Sequence, residues 1–449
     1  MPDVTERFAG RDVLASASRI FSVAWTGELQ AAFRKTVCSI PTSPILKIKL
    51  VCCRSKIYPF ATRAREQSVL ERWAAQIVLG TPMFNVIPTP RVRASPFYDA
   101  TVADGVKGFT AYNRMLLPTS YGDPEGEYWR LLQGVSMWDV ACERQVQLKG
   151  SDAGKLAQLL STRDLTTLSV ERGKYAPICN HQGILLNDPV VNKLSDDVYW
   201  ISIADSQIQF WASAIAAERS LSVEVSEPDV SPLAVQGPHA EKTVCALLGE
   251  WVGELGLFRI KETEIEGIPL IVGRSGYSKQ GGFELYLCDG TKGSELWNLV
   301  KEAGRPWDIR PGTPNHSERI ESGLLSFGCD TDDRTNPYEV RLGKFVDLRL
   351  SDEVIGIRAL RGIKQQGIQR HQLGVVINAK LSHTLARTWC DVLRNGNKIG
   401  SVTSTAYSWR MQANVGLALV STTVQAGDCA QVVFQGKKYE AQFVELPFF

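Results

Sequence analysis

Glu284 is a carboxylate in a segment that is otherwise apolar. Its neighbours Phe283, Leu285, Tyr286 and Leu287 form a short, nearly continuous hydrophobic run. Because glutamate is seldom buried without a partner, this setting indicates a binding site rather than a solvated strand face. Side chains alternate along a strand, so Tyr286 points to the same face as Glu284 and can line the same cavity.

A second acid, Asp188, precedes a proline in the string Asn187–Pro189. A carboxylate in a desolvated site can stabilise positive charge that develops during a reaction. Asp before Pro is also a common turn pattern on protein surfaces. The residue types alone do not decide between these two interpretations.

The cysteines and histidines predict no metal site. None of the ten cysteines forms a C-x-x-C pair, and the five histidines lie far from each other and from any cysteine. Zinc ligands usually come at such short spacings, and scattered cysteines are usually reduced core thiols. Glycine-rich phosphate loops, the G-x-S-x-G elbow and the H-E-x-x-H helix are also absent from the sequence. Generic motifs therefore do not name a function.

The composition is that of an ordinary globular protein. The 449 residues are 44% hydrophobic and 22% charged, and this length suits two or three domains. Fifty Lys and Arg against 48 Asp and Glu give a net charge of +2, which argues against nucleic acid as a partner. No run approaches the roughly 18 apolar residues of a membrane span, so we expect no membrane partner.

Residues 1–88 form a basic N-terminal extension. They hold 12 Lys and Arg against 6 Asp and Glu. An organellar presequence is one interpretation, but transit peptides lack acids, and Asp3, Glu6 and Asp12 lie in it. A poorly ordered extension and a start codon assigned too early are the alternatives, with a short amphipathic helix predicted over 68–79. We therefore expect a cytoplasmic protein, and a mitochondrial one if the extension is a presequence.

From residue 89 onward, helix and strand patterns mix without strict βαβ alternation, which favours an α+β fold. The predicted helices cover 127–133, 155–160 (capped at 151–153) and 207–219, and the predicted strands cover 144–149, 198–203, 223–226, 233–236 and 270–274. A polar stretch at 351–369 suits a linker. Short strands follow at 373–377, 389–393, 400–404, 415–420 and 430–434, with an Asn395–Gly396 turn between two of them. Short strands in such close succession predict a terminal β-barrel or sandwich.

Several strings, in one order along the chain, resemble the glycine-cleavage aminomethyltransferase (T-protein) folate-binding superfamily. They are Thr89–Pro90, Ser95–Asp99, Ser136–Val140, Leu233–Pro238, Gly273–Tyr277, Gly282–Glu284, Arg319–Gly323, Val402–Ser404 and Tyr407–Ser408. Five further strings resemble most closely the tetrahydrofolate-dependent dimethylsulfoniopropionate (DMSP) demethylases of that superfamily. They are Tyr112–Pro118, Val140–Val146, Leu186–Val191, Trp200–Asp205 and Ser278–Glu284. The resemblance covers 89–449 and leaves residues 1–88 without a counterpart.

The resemblance implies a three-domain cloverleaf around a folate funnel, with a two-subdomain catalytic region at 89–350 and a linker and C-terminal β-barrel at 351–449. It implies redox-neutral SN2 transfer of a methyl group from the DMSP sulfonium to N5 of tetrahydrofolate, giving methylmercaptopropionate and 5-methyltetrahydrofolate. No metal follows from this reaction. A sulfonium methyl is already activated, so positioning, worth roughly 7–11 kcal/mol, is the main requirement.

The resemblance also assigns residues to the folate. Glu284 matches the glutamate that faces the pterin N3–H and 2-amino donors. Asp188 matches the acid near N5 and is the expected catalytic residue, stabilising charge that shifts onto N5. The other candidate folate-binding residues are Tyr286, Tyr175, Ser202, Tyr277 and Arg319.

A dimethylsulfonium head group favours aromatic contacts, worth about 2 kcal/mol or more when desolvated. Trp251 is the first candidate, with Trp138 and Trp200 as alternatives, although a single Trp is more often core. The other candidate substrate-binding residues are Tyr286, Tyr112 and Met115. For the substrate carboxylate, the sequence does not choose among Arg144, Lys279 and Arg319. Arg319 and Glu321 form an alternative, structural pair.

Other members of the superfamily supply the alternative functions. Aminomethyl transfer in glycine cleavage needs a lipoyl carrier protein, and the single acid of Asn187–Pro189 counts against it because T-proteins usually carry two. O-demethylation of methoxylated aromatics needs a proton donor for the ether oxygen, and the sequence offers no clear one. An iron–sulfur assembly factor would carry a cysteine in the string at 275–284, which has none. The oligomeric state stays open, a homodimer included.

Overall fold

The computed structural model of the protein describes residues 88–379 and 388–449. The helix predicted at 68–79 and the interpretations of the N-terminal extension fall on residues outside this part. The helices of the described part are α1 (Tyr98–Ala103), α2 (Pro124–Gln133), α3 (Ala153–Leu160), α4 (Ile208–Glu218), α5 (Ala240–Leu248), α6 (Gly293–Gly304), α7 (His316–Glu321) and α8 (Ile357–Gln366). Within these ranges, none has the length and hydrophobicity to cross a membrane.

The strands form three larger sheets and two short hairpins. In chain order they are β1 (Gly108–Tyr112), β2 (Met115–Ser120), β3 (Ser136–Asp139), β4 (Gln145–Lys149), β5 (Arg172–Tyr175), β6 (Ile178–Cys179), β7 (Leu185–Asn187), β8 (Val190–Ser195), β9 (Val198–Ser202), β10 (Glu224–Ser226), β11 (Ser231–Gln236), β12 (Ile260–Ile265), β13 (Ile268–Gly273), β14 (Gly282–Leu287), β15 (Arg310–Gly312), β16 (Arg370–Ile377), β17 (Cys390–Arg394), β18 (Asn397–Ser408), β19 (Ala413–Ser421), β20 (Cys429–Phe434) and β21 (Lys437–Val444).

A six-stranded sheet carries Glu284. Its strand order is β12-β13-β14-β11-β3-β15, and only the β3–β15 pair is parallel. Alternation along β14 sends Phe283, Leu285 and Leu287 to one face, where they join the apolar core formed with α5 and α6. Glu284 and Tyr286 consequently lie on the opposite face.

A five-stranded antiparallel sheet, β10-β4-β9-β8-β5, faces that surface. One side of it packs on α3 and α4, through residues such as Leu148 and Ile201. From its other side, Trp200 packs against Tyr286, with the ring centroids 6.1 Å apart. The two sheets therefore meet face to face at these two aromatic residues.

A closed barrel with the strand order β16-β19-β18-β17-β20-β21 forms the C-terminal part. Asn395 and Gly396 both have positive φ and make the predicted tight turn between β17 and β18. The strand β21 was not predicted, and it closes the barrel by pairing with β16 and β20. The predicted α+β class with a C-terminal barrel is confirmed.

Two local features differ from the sequence predictions. The polar segment 351–369 contains α8, whose apolar stripe is narrow but buries Ile357 and Leu360. The predicted side-chain cap of α3 is wrong. Asp152 is the N-cap residue, but its carboxylate accepts from the backbone N–H of Ser222 at 2.7 Å and not from the helix.

Candidate active site

Glu284 lies in the middle of the six-stranded sheet, beside Ala234 of β11 and Gly273 of β13. Its Oε2 accepts hydrogen bonds from the hydroxyls of Tyr286, at 2.7 Å, and Ser275. Burial raises the pKa of Glu284, against the lowering effect of these two donors. Its Oε1 accepts no hydrogen bond from the described residues, so it is available to the N–H donors of a ligand.

Asp188 lies with Pro189 in the two-residue link between β7 and β8, and the structure has no turn at these two residues. The phenol of Tyr175 donates to Asp188 Oδ2 at 2.6 Å, and the Tyr175 ring packs edge-on against Phe345. Burial raises the pKa of Asp188 to about 7, although the Tyr175 hydroxyl lowers it. Asp188 is therefore a half-buried carboxylate held by Tyr175, and the surface-turn interpretation is wrong.

A third carboxylate, that of Glu143, converges on the same space. Glu143 ends the turn after β3, where its N–H donates to the carbonyl of Val140 at 2.9 Å. Burial first, and then the charges of Glu284 and Asp188, raise the pKa of Glu143 to about 8. Its carboxylate has no hydrogen-bond or ion-pair partner within 88–379 and 388–449. We call Glu143, Asp188 and Glu284 the carboxylate cluster.

The phenol of Tyr112 borders the carboxylate cluster. Burial raises its pKa well above the usual value, and the charge of Glu143 is the next largest cause. Asp188 raises it further. The structure thus brings Tyr112 together with Asp188, which the sequence also predicted, and with Glu143, which it did not.

Two buried asparagines hold the loops of this site. The side-chain amide of Asn113 donates to the carbonyls of Cys142, at 2.9 Å, and Ala204, at 3.2 Å. The side-chain amide of Asn187 donates to the same Ala204 carbonyl at 3.1 Å. Asn113, Cys142 and Asn187 are the sequence neighbours of Tyr112, Glu143 and Asp188, so one network fixes the backbone at all three site residues.

The remaining candidate folate-binding residues lie at the edges of the site. Ser202 ends β9, and its Oγ accepts from the side-chain amide of Gln145 at 3.0 Å. The Tyr277 hydroxyl donates to the carbonyl of Leu325 at 2.7 Å. Burial raises the pKa of Tyr277, and Asp188 is among the charges that raise it further. Tyr277 therefore borders the carboxylate cluster from the side of α7.

The side chain of Arg319 forms hydrogen bonds and an ion pair with other parts of the protein. Its guanidinium donates to Asp330 at 2.6 Å and to the hydroxyl of Ser404 at 2.7 Å, which ties α7 to the barrel strand β18. The predicted alternative pair of Arg319 with Glu321 is wrong, because Glu321 binds Arg410 at 2.6 Å. The guanidinium of Arg319 is therefore occupied by protein groups.

Trp251 is not brought to the carboxylate cluster. It packs with the core on the face of the six-stranded sheet opposite Glu284, and the ammonium of Lys261 lies 4.6 Å from its ring centroid. Met115 is buried at the start of β2, where it pairs with Tyr112 of β1. Trp138 shares the face of Glu284 but is only 1% exposed and packs against α2. The sequence could not predict which sheet face each side chain occupies.

Within the described residues, no Lys or Arg pairs with the carboxylate cluster. Arg144 binds Glu227 at 2.5 Å. Lys279 is exposed, and partial burial and the charge of Arg341 lower its pKa. The same residues contain no group of three or more His, Cys, Asp or Glu arranged to hold a metal. The protein therefore leaves the negative charge of the cluster uncompensated.

Two family models match the chain. The GCVT N-terminal domain matches residues 97–350, and the glycine cleavage T-protein C-terminal barrel domain matches residues 369–449. The chain belongs to the glycine-cleavage T-protein family. The resemblance drawn from the sequence strings is thereby confirmed.

The chain aligns with nearly the whole length of several relatives in the T-protein family. The dimethylsulfoniopropionate demethylase DmdA of Ruegeria pomeroyi is 41% identical over 338 residues, which cover 75% of this chain and 92% of the relative. An aminomethyltransferase of Thermotoga maritima is 29% identical over 366 residues, covering 80% and 98%. The crystal structure of glycine cleavage system aminomethyltransferase T from Bartonella henselae has a TM-score of 0.70 at 21% identity, covering 80% and 98%. At this identity the last comparison shows the fold alone.

Sequence reasoning missed Glu143. Residues on loops carry no periodic signal, so neither the strand pattern nor the helix pattern could single it out. The available signal was its position in Val140–Val146, one of the strings that resemble a single subgroup of the T-protein family. An unpaired acid in such a string is a candidate for the property that separates the subgroup from other T-protein relatives.

Proposed function

We propose that the chain is a tetrahydrofolate-dependent methyltransferase that transfers a methyl group from the sulfonium of DMSP to N5 of tetrahydrofolate. The products are methylmercaptopropionate and 5-methyltetrahydrofolate. The observation that carries the proposal is the 41% identity to a DMSP demethylase across 92% of that relative, against 29% to the aminomethyltransferase from Thermotoga maritima. The carboxylate cluster, which no cation of the described residues balances, supports it because such a site suits the positively charged sulfonium group.

Glu284 fits the proposed folate contact. Its Oε2 is fixed by two hydroxyl donors, which leaves Oε1 to accept from the pterin N3–H and 2-amino group. A charged acceptor for adjacent N–H donors is both strong and geometrically selective. Tetrahydrofolate, when bound, supplies the N5 lone pair that accepts the methyl group.

Asp188 is proposed to act on the charge that develops at N5. The Tyr175 hydroxyl donates to its Oδ2 and stabilises the ionised form. With a pKa of about 7, a substantial fraction of Asp188 is ionised at neutral pH. A preorganised anion of this kind lowers the barrier because the positive charge grows in the transition state.

Trp200 and Tyr286 are proposed as the aromatic wall for the dimethylsulfonium group. They are the pair at which the two sheets meet, and both are largely buried. The indole N–H of Trp200 donates to Gln147 Oε1 at 3.1 Å, which fixes the ring. Burial of this wall excludes water from the transfer and strengthens cation–π attraction.

An assay with four methyl donors tests the proposed function. Purified protein and tetrahydrofolate are incubated with DMSP, glycine betaine, dimethylglycine or vanillate, and 5-methyltetrahydrofolate is measured by chromatography. We expect product from DMSP alone. Product from vanillate alone would instead support O-demethylation, and no product with any donor would favour aminomethyl transfer.

The proposed location is the cytoplasm. In the described part of the chain, seven cysteines are free thiols, which suits a reducing compartment. A mitochondrial location stays the alternative if residues 1–88 are a presequence. Fluorescence microscopy of a tagged full-length chain in its native cell distinguishes the two.

A further inference from the structure

Glu143 is the member of the carboxylate cluster that the proposed mechanism does not use. The other two members each accept a hydrogen bond from a tyrosine. The loop of Glu143 is held beside Tyr112 and Asp188, because the amides of their neighbours Asn113 and Asn187 share the Ala204 carbonyl and Asn113 also binds the Cys142 carbonyl at 2.9 Å. The titratable groups that interact with the Glu143 carboxylate are Glu284, Asp188, Tyr112 and Cys142. None of them carries a positive charge. Glu143 therefore lies among groups that disfavour its ionised form.

The cation next to Glu143 in sequence does not neutralise it. The guanidinium of Arg144 binds Glu227 at 2.5 Å, and Arg93 binds the same carboxylate at 2.7 Å. Glu143 is half-buried, and an unpaired carboxylate that is partly withdrawn from water is costly for the folded state. A bound cation would offset this cost, whereas a neutral ligand would not.

The carboxylate cluster contains one acid more than the proposed contacts to folate require. One carboxylate, Glu284, suffices for the pterin donors, and a second, Asp188, suffices for the charge on N5. Glu143 is left to face the other reactant. The sulfur of this reactant is a positively charged sulfonium before methyl transfer and a neutral thioether afterwards, while its carboxylate is unchanged.

We propose that Glu143 makes the site specific for cationic methyl donors, because its carboxylate faces the sulfonium group of the substrate. The inference rests on the proposed function and deepens it. The attraction ends when the methyl group leaves, since the sulfur is then neutral. Glu143 therefore favours the substrate over the thioether product and over neutral methyl ethers.

The test is titration calorimetry of wild type and Glu143→Gln with DMSP and, separately, with methylmercaptopropionate, both without tetrahydrofolate. We expect the substitution to weaken DMSP binding about 10- to 100-fold, the usual range for loss of a contact to a charged group, and to change thioether binding less than about twofold. Glu143→Asp keeps the charge and should retain most of the affinity. Glu254→Gln, an exposed acid elsewhere, is the matched control.

Proton release gives a second readout. Burial and the facing acids raise the pKa of Glu143 to about 8, so much of it is protonated in the unliganded protein at pH 7. Binding of a cation favours ionisation and releases that proton, which is counted by repeating the titration in two buffers of different ionisation enthalpy. Asp188 also titrates near pH 7, so the readout is the difference between wild type and Glu143→Gln.

Three results would overturn the inference, and one of them also overturns the proposed function. Unchanged DMSP affinity and proton release in a folded Glu143→Gln variant would remove Glu143 from the substrate site while leaving DMSP demethylation intact. Equal weakening of DMSP and thioether binding would mean that Glu143 contributes to binding through its shape and not through its charge. A wild-type protein that makes no 5-methyltetrahydrofolate from DMSP would reject the proposed function as well.

Discussion

Two clusters of charged groups among the described residues are built in opposite ways. Where α7 meets the barrel, Arg319 donates to Asp330 and Ser404, and the other oxygen of Asp330 accepts from Thr403 and Ser404. Each charge there has its partner in the protein. In the carboxylate cluster, no cation of the described residues balances the acids. The first cluster should therefore stabilise the fold, and the second should stabilise a ligand.

The largest expected effect is on the first cluster. Arg319→Met leaves Asp330 buried without its cation, which should lower the free energy of unfolding by about 3–5 kcal/mol. Urea denaturation measures this. Lys292→Met, which breaks an exposed ion pair with Glu295, is the control and should cost less than about 1 kcal/mol. Similar losses in the two variants would contradict a structural role for Arg319.

In the second cluster the expected effect is on turnover. Asp188→Asn should reduce kcat by about 10²–10³, with a smaller effect on KM, because the carboxylate acts on charge that grows in the transition state. Asparagine keeps the shape of the side chain and an oxygen that can accept from Tyr175, so the fold should be kept. Steady-state kinetics with saturating tetrahydrofolate and DMSP measure the change. A kcat within about twofold of the parent, far below the expected loss, would show that transfer does not need the charge of Asp188.

Glu284→Ala should weaken tetrahydrofolate binding. Each pterin donor left without its acceptor costs about 1–3 kcal/mol. Titration calorimetry measures the affinity, with Glu264→Ala, an exposed acid of β12 in the same sheet, as the matched control. Unchanged affinity in a folded Glu284→Ala variant would separate Glu284 from the pterin.

The carboxylate cluster should also make the stability of the fold depend on pH. In the folded protein the pKa values of Asp188 and Glu143 are raised to about 7 and about 8, whereas both are near 4 in an unfolded chain. The folded state thus holds these protons more tightly, so stability that is present below about pH 4 is lost as the pH rises through 7 and 8. Glu143→Gln should raise the Tm of the unliganded protein at pH 8.5 by about 2–4 °C. An unchanged Tm would indicate that Glu143 is already balanced.

The smallest expected effect belongs to the N-terminal extension. Deletion of residues 1–88 should leave kcat and KM within about twofold, the ordinary scatter of a change remote from the site, because the family match begins at residue 97. The purified truncated chain is compared with the full chain in the same assay. A truncated protein that folds but has lost activity would make the extension part of the enzyme.

The sequence predicted the fold better than the site. Strands such as Val198–Ser202 are recognisable from their apolar runs, and the Asn395–Gly396 turn is recognisable from its residue types. Their positions therefore follow from local rules. The helix α8 was missed because its apolar stripe is narrow, and β21 because its alternating side chains are mostly polar. These elements form through contacts that are distant in sequence.

Within the site, residue type identified some functional residues and failed to identify others. Glu284 could be singled out because an acid in an apolar strand is unusual. Trp251 could not be placed, since it lies in a short 3-10 helix, Glu250–Glu254, and only the packing of that helix on the core assigns its side of the sheet. Glu143 lies on a loop, where no period exists, and its lack of a partner is visible only in three dimensions.

The asparagine network has a consequence for how this family diverges. Asn113 and Asn187 bind backbone carbonyls, so the paths of the loops do not depend on which side chains the neighbouring positions carry. A substitution at position 143 or 188 should thus alter the number of acids in the site while the backbone around it keeps its path. The scaffold therefore tolerates changes in the charge of the site one residue at a time.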